Sequence, residues 1–204
     1  MLKLIMRRVF ISLLLVTALF FTATTGARAI EVKVSANALE RTLRAQLFNG
    51  PDGRYYLRGS RLSSCYVYAD SPHVTFAGDR IIVHVHTRSR LGASVLGACV
   101  GLSLSTNADV SLVPEGEGES IGFRDARIER LSNSRELNFL LVPFLSGKLP
   151  AQMKVNAAEL MRQLLTRSTE TTGYTLTLDS LKMHSMLVEG DALIVDVDAG
   201  MNVN

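Results

Sequence analysis

GDALIVDVDA, residues 190–199, restates a pattern met earlier in the chain as GDRIIVHVHT, residues 78–87. In each, a Gly-Asp turn signal opens a run that alternates between apolar and polar residues. Side chains two apart in an extended strand share a face. Val83 and Val85 therefore form one row, matched by Val195 and Val197 in the later copy. The opposite row holds His84 and His86 in the first copy and Asp196 and Asp198 in the second. Each stretch reads as the second strand of a hairpin that turns at Gly-Asp.

Each hairpin has a helix ahead of it. Lys33-Val34-Ser35 leads into Leu39, Arg41 and Leu43, and Lys154-Val155-Asn156 leads into Leu160, Arg162 and Leu164. Ser35 is a good N-cap for a helix over residues 36–48 with Leu39, Leu43 and Leu47 on one face. The NGPDG sequence at 49–53 stops it. Asn156 caps the second helix, whose broad apolar face carries Ala157, Leu160, Met161, Leu164 and Leu165. Two helix-hairpin units, around residues 35–88 and 156–203, therefore suggest an internal duplication.

Between the units, strands are expected over 102–113 and 120–131, joined by the EGEGE turn at 115–119. Residues 89–101 are small and glycine-rich. Gly92, Gly97 and Gly101 read as positions of close strand packing rather than as an anion-binding loop. The apolar stretch at 137–145 contains Pro143 and stays open between a helix broken by the proline and an extended edge.

The first 29 residues have the layout of a secretory signal peptide: Lys3, Arg7 and Arg8, then an apolar run, then Ala27-Arg28-Ala29. The rest, residues 30–204, is expected to form one α+β domain. The full chain has 22 Lys plus Arg and 19 Asp plus Glu, but four of the basic residues belong to the leader. The mature chain then balances 18 basic against 19 acidic residues, a net charge of −1, so charge gives no reason to expect nucleic acid as a partner. The distribution is uneven: eight arginines fall between Arg41 and Arg90, against Asp52, Asp70 and Asp79. Export would bring the two cysteines, Cys65 and Cys99, into an oxidising compartment. There they would form a bridge, the alternative being a pair of buried thiols.

His84 and His86 raise the question of a metal. Their row changes to aspartate in the second unit while the apolar row is kept, which is how a solvated outer face behaves. No metal site is expected there, although strand pairing of the two units would set two Asp beside two His. His73 and His184 read as isolated surface or turn residues. No G-x-S-x-G elbow, H-E-x-x-H helix, C-x-x-C pair or phosphate-binding glycine loop appears. No nucleophile is paired with a base, so the chain is expected to be no enzyme and to use no cofactor.

The order of helix, antiparallel strands, second amphipathic helix and terminal Gly-Asp hairpin resembles the YceB-like bacterial lipoproteins. More distantly it is similar to the tubular lipid-binding (TULIP) superfamily, which includes bactericidal/permeability-increasing protein. VSANALERTLRAQLF, GDRIIVHVH, VNAAELMRQLL and LTLDSLKMHSMLVEGDALIVDVDAG carry the resemblance. It implies a strongly curved antiparallel sheet wrapped around one or two amphipathic helices, with an apolar groove between sheet and helix. On that reading Leu39, Leu43, Leu47, Leu160, Met161 and Leu164 line the groove. The implied function is non-enzymatic: a periplasmic or secreted module that binds lipid or another apolar ligand and touches membranes at most peripherally. The alternative is an adaptor that binds another envelope protein, through its arginine-rich half. Those lipoproteins carry an acylated cysteine after the signal peptide and this chain has none, so the resemblance does not extend to a lipid anchor.

Overall fold

A computed structural model describes residues 30–203, apart from the side chains of residues 169 and 170. The leader expected over residues 1–29 lies outside the described residues. The chain opens with β1 (Ile30–Ser35) and α1 (Ala36–Gln46), then runs through β2 (Tyr55–Arg58), β3 (Tyr66–Ala77), β4 (Arg80–Val95), β5 (Ala98–Glu117) and β6 (Ser120–Arg130). A helical body follows, made of α2 (Arg135–Pro143), a π turn (Phe144–Lys148) and α3 (Leu149–Met153). β7 (Val155–Asn156), α4 (Ala157–Thr172), β8 (Leu176–Glu189) and β9 (Ala192–Val203) complete it. This is the expected α+β class, with antiparallel strands in a strongly curled half-barrel.

The strands form a six-stranded sheet in the order β2-β3-β4-β5-β6-β7 and a three-stranded sheet in the order β1-β9-β8. Both Gly-Asp turns form as expected. Gly78 and Gly190 have φ of 59° and 62°, which a two-residue hairpin turn needs at its first central position and glycine adopts without a Cβ clash. The alternating rows also form: Ile81, Val83 and Val85 on β4, and Leu193, Val195 and Val197 on β9, are buried. Both helix caps are in place. Ser35 Oγ accepts from the Ala38 N–H at 3.3 Å, and Asn156 Oδ1 accepts from the Glu159 N–H at 2.9 Å. The short strand before each helix joins the sheet of the other unit. β1 pairs with β9, and β7 pairs with β6 through Val155 opposite Ile121.

The stretch left open by the sequence is the helix at the centre of the core. Leu137, Leu141, Leu145 and Leu149 are all fully buried, and Phe144 stacks on Tyr55 of β2 at 5.0 Å. Leucines spaced four apart drift by about 40° per step around an α-helix of 3.6 residues per turn. The wider π turn recovers part of that drift and keeps the stripe aimed at the sheet. It begins directly after Pro143, whose ring supplies no N–H to the helical ladder. The Leu149 N–H then bonds back to the Phe144 carbonyl, five residues earlier. Burial of each leucine stabilises the fold by about 1.5–3 kcal/mol before entropy is counted.

Cys65 and Cys99 are joined, tying the segment ahead of β3 to the start of β5 across a sequence separation of 34. Reduction is expected to lower the unfolding free energy by about 3–4 kcal/mol, from the chain entropy regained by a loop of that size. Chemical denaturation with and without reductant measures this, and coincident curves would contradict it. No helix among the described residues is long and apolar enough to cross a membrane.

Candidate functional site

The end of the β4–β5 hairpin reads RLGASVLGACVGLSL, residues 90–104. Leu91, Ala93 and Val95 alternate with Gly92 and Ser94, and their cross-strand partners are Leu102, Val100 and Ala98. Directly opposed residues of an antiparallel pair project to the same side, so these six form one apolar face. Gly92 sits opposite Gly101 on the other side. A Cβ on Gly92 would lie 2.1 Å from the Val100 carbonyl oxygen, and one on Gly101 would lie 2.1 Å from that of Leu91. Gly92 and Gly101 thus permit a close approach of the two backbones, the packing role expected of them, whereas Gly97, expected to share it, sits in the turn at φ 82° with open space where a Cβ would lie.

Helix α2 stands across from the inner part of this apolar face. Phe139 and Leu140 of the helix, with Leu91, Gly92 and Leu102 of the hairpin, line an open groove of about 810 Å³. That volume is in the range of small-molecule sites, which are mostly apolar with a few placed polar groups. Here the polar groups are Arg58, at the end of β2, and Glu136, in the first turn of α2. Arg58 makes no ion pair among the described residues. The Glu136 carboxyl is held below its ordinary value, first by its own backbone N–H and then by the Ser134 hydroxyl, which donates to it at 2.8 Å. The rim therefore offers one cation and one anion at neutral pH. Phe139 is 79% exposed, because the buried leucine stripe occupies the other side of the same helix. Behind Leu91 in the same row, the Thr87 and Ser89 hydroxyls are buried without a protein partner.

None of the six residues expected to line a groove lines this one. Leu39, Leu43 and Leu47 are buried in the core, where α1 packs on β3 and α3. Leu160 and Leu164 stand 48% and 60% exposed on α4, and Met161 is partly buried against the core. The structure does not bring the two sets together at the groove. Phe139 and Leu140, which do line it, were not among the six. The available signal was an apolar residue off the stripe of Leu137, Leu141 and Leu145.

The histidines point outward as expected, but they are not free side chains. His84 Nδ1 is 2.9 Å from Asp109 Oδ1 and its Nε2 is 2.9 Å from Thr75 Oγ1. His86 bridges Asp70 at 2.9 Å and Ser105 at 2.8 Å. His73, read from sequence as isolated, stacks on the His84 ring and meets Glu40 Oε2 at 2.9 Å. His184, read the same way, bonds to Asp198. β9 pairs with β1 and β8, so Asp196 and Asp198 do not lie beside His84 and His86. Among the described residues, no three His, Cys, Asp or Glu side chains converge as metal ligands.

Glu40 fastens α1 to β3. Burial pushes its carboxyl up, but His73, Arg44 and the Val74 N–H together hold it below its ordinary 4.5. A carboxylate lowered on folding stabilises the native state above its unfolded value, and that contribution is lost as pH falls through the folded value. Glu40→Gln is therefore expected to lower the melting temperature at pH 7. The gap to wild type should narrow as pH falls below 4.5 and through the lowered folded-state value. A gap that persisted unchanged in acid would show that Glu40 acts through packing alone.

Comparison with family models, with curated proteins and with solved structures finds no match to this chain.

Proposed function

We propose that the chain is a non-enzymatic, exported module that binds lipid or another apolar ligand between the β4–β5 hairpin and α2. The observation that carries this reading is the groove itself, where Leu91, Leu102, Phe139 and Leu140 face open space beside Arg58 and Glu136. Each Å² of acyl surface covered there would contribute about 25 cal/mol. Ordering costs would be subtracted from that gain. The charged rim favours a ligand with one apolar arm and one polar end. Export is supported by the Cys65–Cys99 bridge, since disulfides persist in oxidising compartments such as the periplasm or the extracellular space. The resemblance to the YceB-like and tubular lipid-binding proteins points to the same ligand class.

Native mass spectrometry of protein purified from cells tests the reading. Co-purified lipid that dissociates at raised collision energy is expected. A clean apo mass that no added fatty acid shifts would favour the competing role, an adaptor for another envelope protein.

A further inference from the structure

The β4–β5 hairpin continues beyond the groove, and there none of the described residues covers it. From residue 92 to residue 102 every residue except Cys99 is exposed, including Val95 and Val100 on the apolar face. At the turn, Leu96 is fully exposed and holds φ of 48°, followed by Gly97 at 82°. Such a turn favours Asn or Asp at its first central position, and a leucine there is strained as well as solvated. Both costs go unrecovered within the fold. A second apolar side chain stands on the same rim. Leu62, 95% exposed, belongs to the loop that the disulfide clamps to Cys99 and that Ser64 joins to Ser94 at 2.8 Å. Leu62 and Gly97 line one shallow cleft, so loop and turn present a single fixed edge.

Charge identifies what this edge fits. Residues 54–66 and 86–106, which build most of this end of the molecule, contain Arg54, Arg58, Arg61, Arg88 and Arg90 and no Asp or Glu; the acids beside them are Asp52, paired with Arg54, and Glu136, on the groove rim with Arg58. Arg58, Arg61 and Arg88 make no ion pair among the described residues, and Arg90 lies over the Tyr66 ring. Arg61 adjoins Leu62. Arg58 lies near Leu91, which at about 3.3 Å per residue is roughly 17 Å behind Leu96. An apolar edge sunk about 5–10 Å into a bilayer would set Arg61 among the headgroup phosphates. Arg58 and Arg90 would then stand within about one screening length of them.

We propose that the β4–β5 turn and the Leu62 loop form a docking surface for an anionic lipid bilayer. Apolar residues enter the membrane and arginines meet the phosphates. This stands apart from what the groove holds, since none of the docking apolar residues lines it.

Sedimentation of the full chain with vesicles tests it. Wild type should pellet with vesicles of equal parts phosphatidylglycerol and phosphatidylcholine. Binding should be at least about tenfold weaker to phosphatidylcholine alone, and should weaken as salt is raised. Leu96→Asn with Leu62→Asp should reduce binding to the anionic vesicles by about tenfold or more. Both sites are exposed and asparagine suits the turn, so the double variant should melt as wild type does. Arg61→Glu should reduce binding on its own. Absence of wild-type binding, or equal binding to neutral vesicles, would overturn the proposal. So would a wild-type dimer that Leu62→Asp dissociates while vesicle binding is unchanged, because a second copy would then be the occupant. Fatty-acid uptake by the same proteins separates the two readings. Vesicle binding without uptake would support this surface and reject the groove, whereas uptake without vesicle binding would do the reverse.

Discussion

Phe139→Glu is expected to weaken uptake of a fluorescent fatty acid by at least about tenfold, equivalent to about 1.4 kcal/mol of lost binding. The melting temperature should stay within about 2 °C of wild type. The asymmetry follows from where the side chain sits. Phe139 is 79% exposed in the free protein, so a carboxylate there remains hydrated and costs the fold little. Once an acyl chain fills the groove, that carboxylate must be stripped of water against apolar surface, which stays costly even beside Arg58. Leu164→Glu is the matched control on α4, at a residue 60% exposed and outside the groove lining. It should change neither property. Equal uptake by wild type and Phe139→Glu would rule out the groove, and loss of uptake in Leu164→Glu alone would move the site to α4.

Leu145→Ala should have the largest effect on stability. Leu145 is fully buried in the π turn, where the central helix meets β5 and β6. Truncation removes apolar burial and leaves a cavity, together worth about 2–5 kcal/mol. For a domain of this size that is a fall in melting temperature of roughly 5–20 °C. Leu160→Ala, at a 48% exposed position, should cost about 0.5 kcal/mol or less. Thermal melting of the two variants side by side measures the contrast. Similar losses in both would mean that α4 contributes as much core as the central helix does.

Much of the fold could be read in the sequence because it is written locally. Ser35 and Asn156 cap helices by bonds to residues three positions on, and Gly78 and Gly190 turn hairpins through their own φ values. The alternating rows at 81–85 and 193–197 needed only a period of two. The central helix was hidden for a physical reason. Residues 137–145 are apolar around most of the helix, so no single face stands out. Pro143 also argued against continuity, until a π turn restored the stripe. The site was less legible still. The groove exists only because α2 stands across from a hairpin some 40 residues earlier, and no local pattern reports that placement. The Leu160 and Leu164 face looked equally suited to a ligand because helical periodicity does not say what covers a face. His73 seemed isolated because its partner, Glu40, lies 33 residues away on a different element.

The most direct test of the central claim is photo-crosslinking with a fatty acid that carries a diazirine in its acyl chain, followed by peptide mapping. Label is expected on the segments that line the groove, around Leu91, Leu102, Phe139 and Leu140, with competition by unlabelled fatty acid. Label confined to Leu160, Met161 and Leu164, or no competable label at all, would contradict it.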